Sequence, residues 1–265
     1  MKARITPYLP AALLLIIVLG LAIWYMMSVP APVMAPTTDT TTSEPAKIAI
    51  EEPYYTVEAT YPTQTPLVTS AGAQADQEAV ASMKAFVEEE IATFIDNGDF
   101  ANLTHDDIQM LGLDQRKYAL GIEYTMYTGV RTVSYVYLIY QDTGGAHPNT
   151  NYRTFTFDTK TGSEMKLSDA FIPGTDYLTE LSTKVRKELP PLMAARYDVD
   201  VSVLDTTYID SGTTPKTESF QNFYFDGSTF VLLFPPYQVG PYALGMIETP
   251  FPAGEVTGLR PEYTQ

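Results

Sequence analysis

Lys117–Tyr140 reads KYALGIEYTMYTGVRTVSYVYLIY. Tyrosine, valine, threonine and isoleucine recur through it with alternation, and the pattern breaks near Tyr127–Gly129. That predicts two long antiparallel strands, Lys117–Thr128 and Val130–Tyr140. Downstream, Gln141–Asn151 contains Gly144-Gly145 and predicts a loop; Tyr152–Phe157 returns as a strand; and Asp158–Gly162 forms a turn. Further on, Phe220–Phe225 and Thr229–Phe234 flank Asp226-Gly227, a hairpin signal of the type I′ kind. Ala243–Phe251 is expected as a last strand near a sheet edge, because Pro250 and Pro252 cannot donate to a ladder.

Upstream, Glu52–Tyr61 alternates Tyr55, Val57, Ala59 and Tyr61 on one face and predicts another strand. Ala75–Asn97 places Val80, Met83, Val87, Ile91 and Phe94 at spacings of three and four, the stripe of an amphipathic helix. Thr175–Leu189 repeats the pattern with Leu178, Leu181, Val185 and Leu189, and Pro190-Pro191 is expected to end it. Clustered strands with helices between them predict an α+β fold, a mainly antiparallel sheet carrying two principal helices.

The first residues differ in kind. Leu9–Val29 is almost wholly apolar, follows Lys2 and Arg4, and is long enough for a helix to cross a bilayer. Basic residues stay on the cytoplasmic side, so the expectation is one transmembrane helix with the N-terminus inside and the rest outside the cytoplasm. A cleaved secretory signal is the other reading, and it gives the same location. The resulting organisation is a cytoplasmic tail over 1–8, a signal-anchor over 9–29, a Pro/Thr-rich stalk over 30–50, a domain over 51–256 and a C-terminal tail over 257–265. Within the domain, 51–115 and 116–256 are candidate subdomains.

Of 16 basic and 32 acidic residues, only Lys2 and Arg4 fall before position 29, which leaves a net charge of −18 on the remainder. Such a surface repels nucleic acid and suits a basic partner. The chain has no cysteine, so its stability must come from an ordinary apolar core.

The sequence has no Gly-x-Ser-x-Gly, no phosphate-binding glycine loop and only two histidines, His105 and His147. No cofactor, no metal site and no catalytic residue is expected. His105-Asp106-Asp107 reads as the start of a short helix, and Glu88–Glu90 as a solvated helix face. Two stretches stand out as contact surfaces. Gly144–Asn149 sets His147 and Asn149 in a Gly/Pro loop, and Phe234–Gly245 sets Tyr237, Pro241 and Tyr242 among prolines that stiffen the chain. Their bland alternatives are a plain turn and a rigid crossover.

Three segments taken in order resemble one known type of module: YYTVEATYP (54–62), GGAHPNTNYRTFTFDTKTGSEMKLSDAF (144–171) and FYFDGSTFVLLFPPYQVGPYALG (223–245). It is the extracytoplasmic domain, largely of unknown function, of RsiV-type anti-sigma factors that sense lysozyme, and it resembles the module preceding the catalytic domain of PdaC-type peptidoglycan deacetylases. The resemblance covers nearly all of 50–255. It implies an α+β module outside the cell whose partner is a lysozyme-like hydrolase, another basic protein or peptidoglycan. The eight residues before the apolar run are too few to hold a sigma factor, and the Asp and paired-His pattern of a deacetylase site does not occur. The expectation is therefore a sensing or binding module and not an enzyme. The alternatives are an enzyme acting on wall polysaccharide through carboxylates such as Glu123, Asp142 and Asp158, or a structural partner of a membrane complex.

Overall fold

A computed structural model describes residues 43–265. The expected cytoplasmic tail, the expected transmembrane helix and most of the expected stalk lie outside the described residues. Among the described residues no helix is long and apolar enough to cross a membrane.

The fold is α+β. In chain order its elements are β1 (Ala46–Glu51), β2 (Tyr55–Tyr61), α1 (Leu67–Ser70), α2 (Ala73–Gly98), α3 (His105–Leu111), β3 (Tyr118–Thr128), β4 (Thr132–Asp142) and β5 (Asn149–Asp158). There follow α4 (Tyr177–Tyr197), α5 (Thr207–Gly212), β6 (Phe223–Asp226), β7 (Thr229–Phe234) and β8 (Ile247–Pro252). Two sheets result, β1-β2-β3-β4-β5 and β6-β7-β8. Every strand pair is antiparallel except β2/β3, which is parallel. The 26 residues of α2 lie within the connection that a parallel return requires.

One face of the large sheet carries Val57, Leu120, Ile122, Tyr135, Tyr137, Phe155 and Phe157, packed against Met83, Val87, Ile91 and Phe94 of α2. Four of the five residues of the sequence stripe are therefore contact residues; at its N-terminal end Ala79 is buried in place of the expected Val80. The small sheet has two covered faces. Phe223, Phe225, Phe230, Leu232, Phe234 and Phe251 pack with Leu181, Val185, Leu189 and Met193 of α4. On the other side Tyr224, Val231 and Leu233 meet Val136 of the large sheet. Threonine side chains join the sheets. Phe223 N–H donates to Thr154 Oγ1 at 3.1 Å, and Thr156 Oγ1 donates to the Phe223 carbonyl at 3.1 Å. The free edge of β6 thus has buried partners, as a buried backbone requires.

Several boundaries differ from the sequence reading. Ala46–Glu51 is a strand, not stalk, because Ile48 and Ile50 pair with Ala59 and Val57 and pack on the α2 side of the sheet. The candidate boundary at 115/116 is bridged by the parallel β2/β3 pair, and the described residues form one compact unit. Residues 257–265 are not a loose tail. Leu259 and Tyr263 are buried, and Arg260 N–H donates to the Ala170 carbonyl at 2.9 Å. Helix α4 runs through Pro190 and Pro191 instead of ending there. Two backbone hydrogen bonds are forfeited, but Met193 and Ala194 bury beyond the prolines and extend the stripe of Leu181, Val185 and Leu189. The β6–β7 turn has positive φ at Gly227 alone, the II′ pattern rather than I′, with Asp226 paired to Thr229.

Candidate functional site

The loop between β4 and β5 starts where Asp142 accepts the N–H of Gly144 at 3.1 Å. Gly144 has φ 78°, a conformation that favours glycine, and a Cβ there would stand 3.1 Å from the Tyr118 ring. His147 follows at the surface. Its Nδ1 lies 3.0 Å from the Pro148 carbonyl oxygen, and its Nε2 lies 3.3 Å from Tyr237 Oη. A carbonyl can only accept, which assigns the proton to Nδ1 and leaves Nε2 of the neutral ring to accept from the Tyr237 hydroxyl. The His147 ring also stacks on Tyr242, with centroids 3.7 Å apart and planes 16° apart. Tyr242 Oη donates to the same Pro148 carbonyl at 2.6 Å.

Tyr237 sits in the connection between β7 and β8. Pro235–Gln238 is a turn closed by Gln238 N–H on the Pro235 carbonyl at 3.2 Å. Pro236 occupies its second position and Tyr237, with φ 71°, its third. That is the type II pattern, whose third position normally takes glycine. A bulky side chain at positive φ is a genuine outlier. Gln238 holds the turn from behind, donating through Nε2 to the carbonyls of Gly212 and Ser219, each at 2.9 Å. Despite these anchors the Tyr237 side chain is 55 % exposed. The Tyr237 and Tyr242 rings lie 5.6 Å apart.

The structure therefore brings His147, Tyr237 and Tyr242 into one aromatic clasp. Pro241, exposed beside Tyr242, opens the short turn that aims that ring. Asn149 is exposed at the start of β5, and no hydrogen bond joins it to the three rings.

A concavity lies on the face of the large sheet opposite α2. It encloses about 610 Å³ and is lined by Lys47, Ala49, Glu58, Thr60, Gly121, Glu123, Leu138 and Tyr140, among others. The sequence reading singled out only Glu123 from this set. A glycine in the middle of a strand pattern was the available signal, since it marks a close approach. The other carboxylates named for wall-polymer cleavage are committed elsewhere. Asp142 is paired with Arg116, while Asp158 is buried and bonded to Arg131, Tyr263 and two turn amides. Burial tends to raise the Asp158 carboxyl, but the bonds from Tyr263, Thr161, Arg131 and Lys160 outweigh it and hold the group below its ordinary value. Glu248 behaves oppositely. Burial between the sheets pushes it up, against a hydrogen bond from Tyr224 and the charge of Arg196.

Among the described residues no group of three or more His, Cys, Asp and Glu side chains is placed to hold a metal ion. His105 opens α3, where Thr104 and Asp107 form the capping box, and Glu88 pairs with Lys84 on α2 at 3.4 Å.

Residues 168–253, from the segment before α4 to the end of β8, match the family described as "Protein of unknown function (DUF3298)". The DUF3298 match includes Tyr237, Pro241 and Tyr242, while His147 and Asn149 come from outside it. The chain is 27 % identical over 165 residues to the peptidoglycan-N-acetylmuramic acid deacetylase PdaC of Bacillus subtilis, 62 % of this chain and 32 % of that protein. It is 27 % identical over 128 residues to the esterase Rv3036c of Mycobacterium tuberculosis, 48 % of this chain and 52 % of that one. It thus spans about a third of the first and half of the second. A DUF3298 protein of Bacteroides fragilis superposes with a TM-score of 0.52 at 19 % identity, covering 83 % of this chain and 95 % of that one. A DUF3298 protein of Pseudomonas aeruginosa superposes with a TM-score of 0.50 at 12 % identity, covering 85 % and 97 %. These likenesses extend the fold beyond the DUF3298 match into the large sheet.

Proposed function

We propose that this chain is a non-catalytic recognition module held outside the cytoplasm by its N-terminal apolar segment. Its ligand in this reading is a cell-wall hydrolase of the lysozyme kind, with another basic protein or a wall glycan as the wider class. The observation that carries the reading is Tyr237, a largely exposed ring kept at positive φ and fixed by His147 and Tyr242. Backbone strain held in place by surrounding contacts clusters at binding sites. Rigid aromatic rings also present contact area at a small entropy cost. The formal charge of −16 favours encounter with a basic partner. A relative that acts on peptidoglycan supports an envelope setting.

Titration calorimetry of the full chain against lysozyme and against soluble wall fragments tests this. The expected result is saturable binding to one of them that Tyr237→Ala weakens by about tenfold or more, as loss of an aromatic anchor does. No binding to either class would sink the proposal. One observation favours a second reading, hydrolysis of a wall polymer: Glu58 and Glu123 share the sheet-face cleft. That reading requires turnover of wall polymer by the purified chain, abolished by Glu123→Gln.

A further inference from the structure

The cleft on the sheet face has a defined floor. Ala49 pairs with Glu58, Glu58 with Gly121, and Gly121 with Tyr140, so these four residues form one row across β1–β4. Lys47 opposite Thr60, and Glu123 opposite Leu138, begin the adjacent row. Residues on neighbouring strands at this spacing share one face. Gly121 leaves a gap at the centre of the first row. A Cβ added there would meet only Tyr140, at an ordinary 3.7 Å, so packing within the chain does not call for a glycine. A glycine inside a strand is costly unless something else approaches. The Tyr140 ring is 38 % exposed beside the gap. Glu58 and Glu123 are exposed, and among the described residues neither has an ion-pair partner, whereas eight other carboxylates do. Lys47 is the one cation among the lining residues.

We infer that this cleft receives a lysine or arginine side chain from a basic protein partner. The apolar floor of Ala49, Gly121 and Leu138 takes the aliphatic stem, while Glu58 and Glu123 take the charged head. Tyr140 offers a ring face to the same cation. The occupant follows from charge complementarity: two carboxylates against the single cation Lys47 leave the cleft with excess negative charge, which a cationic head offsets and a neutral ligand does not. The inference rests on reading the chain as a recognition module, but it uses no residue of the aromatic clasp.

The test is calorimetric titration of the full chain with an N-acetylated tetralysine amide at low salt. The Glu58→Gln/Glu123→Gln pair and Gly121→Val, which fills the floor without changing charge, should each weaken binding by about tenfold, the scale of losing a site-specific charge contact. A control pair far from the cleft, Glu180→Gln/Glu218→Gln, removes the same charge and should have little effect. Equal weakening by the control would assign binding to overall charge and overturn the inference. So would unchanged binding in both cleft variants. A neutral N-acetylglucosamine trimer whose binding is lost in Gly121→Val would make the cleft a glycan site and also overturn it. The lysozyme titration with Tyr237→Ala fails or succeeds separately, so each idea can fall alone.

Discussion

Replacing Tyr237 by glycine and by alanine separates strain from recognition. At φ 71° an L-residue pays the left-handed penalty that glycine escapes, about 1–2 kcal/mol. Glycine gives back roughly 0.5–1 kcal/mol through the extra freedom of its unfolded chain. Tyr237→Gly should therefore be more stable than Tyr237→Ala by about 0.5–1 kcal/mol, the reverse of the usual order. For a unit of this size that is roughly 1–4 °C in Tm. Both variants lose the hydroxyl that His147 accepts and the ring beside Tyr242. Tyr237→Ala, which keeps the strain, should lie about 1 kcal/mol below the parent. Differential scanning calorimetry on the three proteins gives the order directly. Both variants should lose ligand affinity together, whatever their stability. An alanine variant as stable as the glycine variant, or more so, would refute the claim that this position stores strain for the sake of the exposed ring.

Other outcomes follow from the packing and the charges. Asp158→Asn should cost about 2–3 kcal/mol in urea denaturation, because buried Tyr263 and half-buried Arg131 both lose a charged partner. The folded carboxyl is held below its ordinary value of 3.8. Its contribution is thus complete above that pH and fades as pH falls through the folded value, so the gap between parent and Asp158→Asn should close in acid. Met83→Ala, at a fully buried point of the contact between α2 and the sheet, should cost about 2–5 kcal/mol by the same assay. Pro191→Ala, at an exposed position inside α4, restores a backbone donor and should raise stability by about 1 kcal/mol or more, measured by thermal melting.

The strands β3, β4 and β5 were legible from long runs rich in tyrosine, valine, threonine and isoleucine, and the β6–β7 hairpin from Asp226-Gly227 set between two short apolar runs. The stripe of α2 was legible because Met83, Val87, Ile91 and Phe94 all face one sheet. Strand β1 was not, since KIAIE is short and follows a proline-rich segment; only pairing with β2 gives Ile48 and Ile50 a partner surface. The continuation of α4 through two prolines depends on buried contacts that local propensity does not contain. The clasp was half visible. Its residues stand out by type, but the meeting of His147 and Tyr237, 90 positions apart, depends on how the two sheets dock. The sheet-face cleft was invisible for a related reason. It exists because a parallel pairing sets Glu58 beside Gly121, and alternation alone cannot specify which strands become neighbours.

Recognition at the two-loop clasp is tested most directly by amide hydrogen exchange on the full chain, with and without saturating lysozyme. Exchange should slow in both 143–149 and 235–246, and that protection should be lost in Tyr237→Ala. Protection confined to other elements, such as α4 and the segment after it, with both loops unchanged, would contradict it.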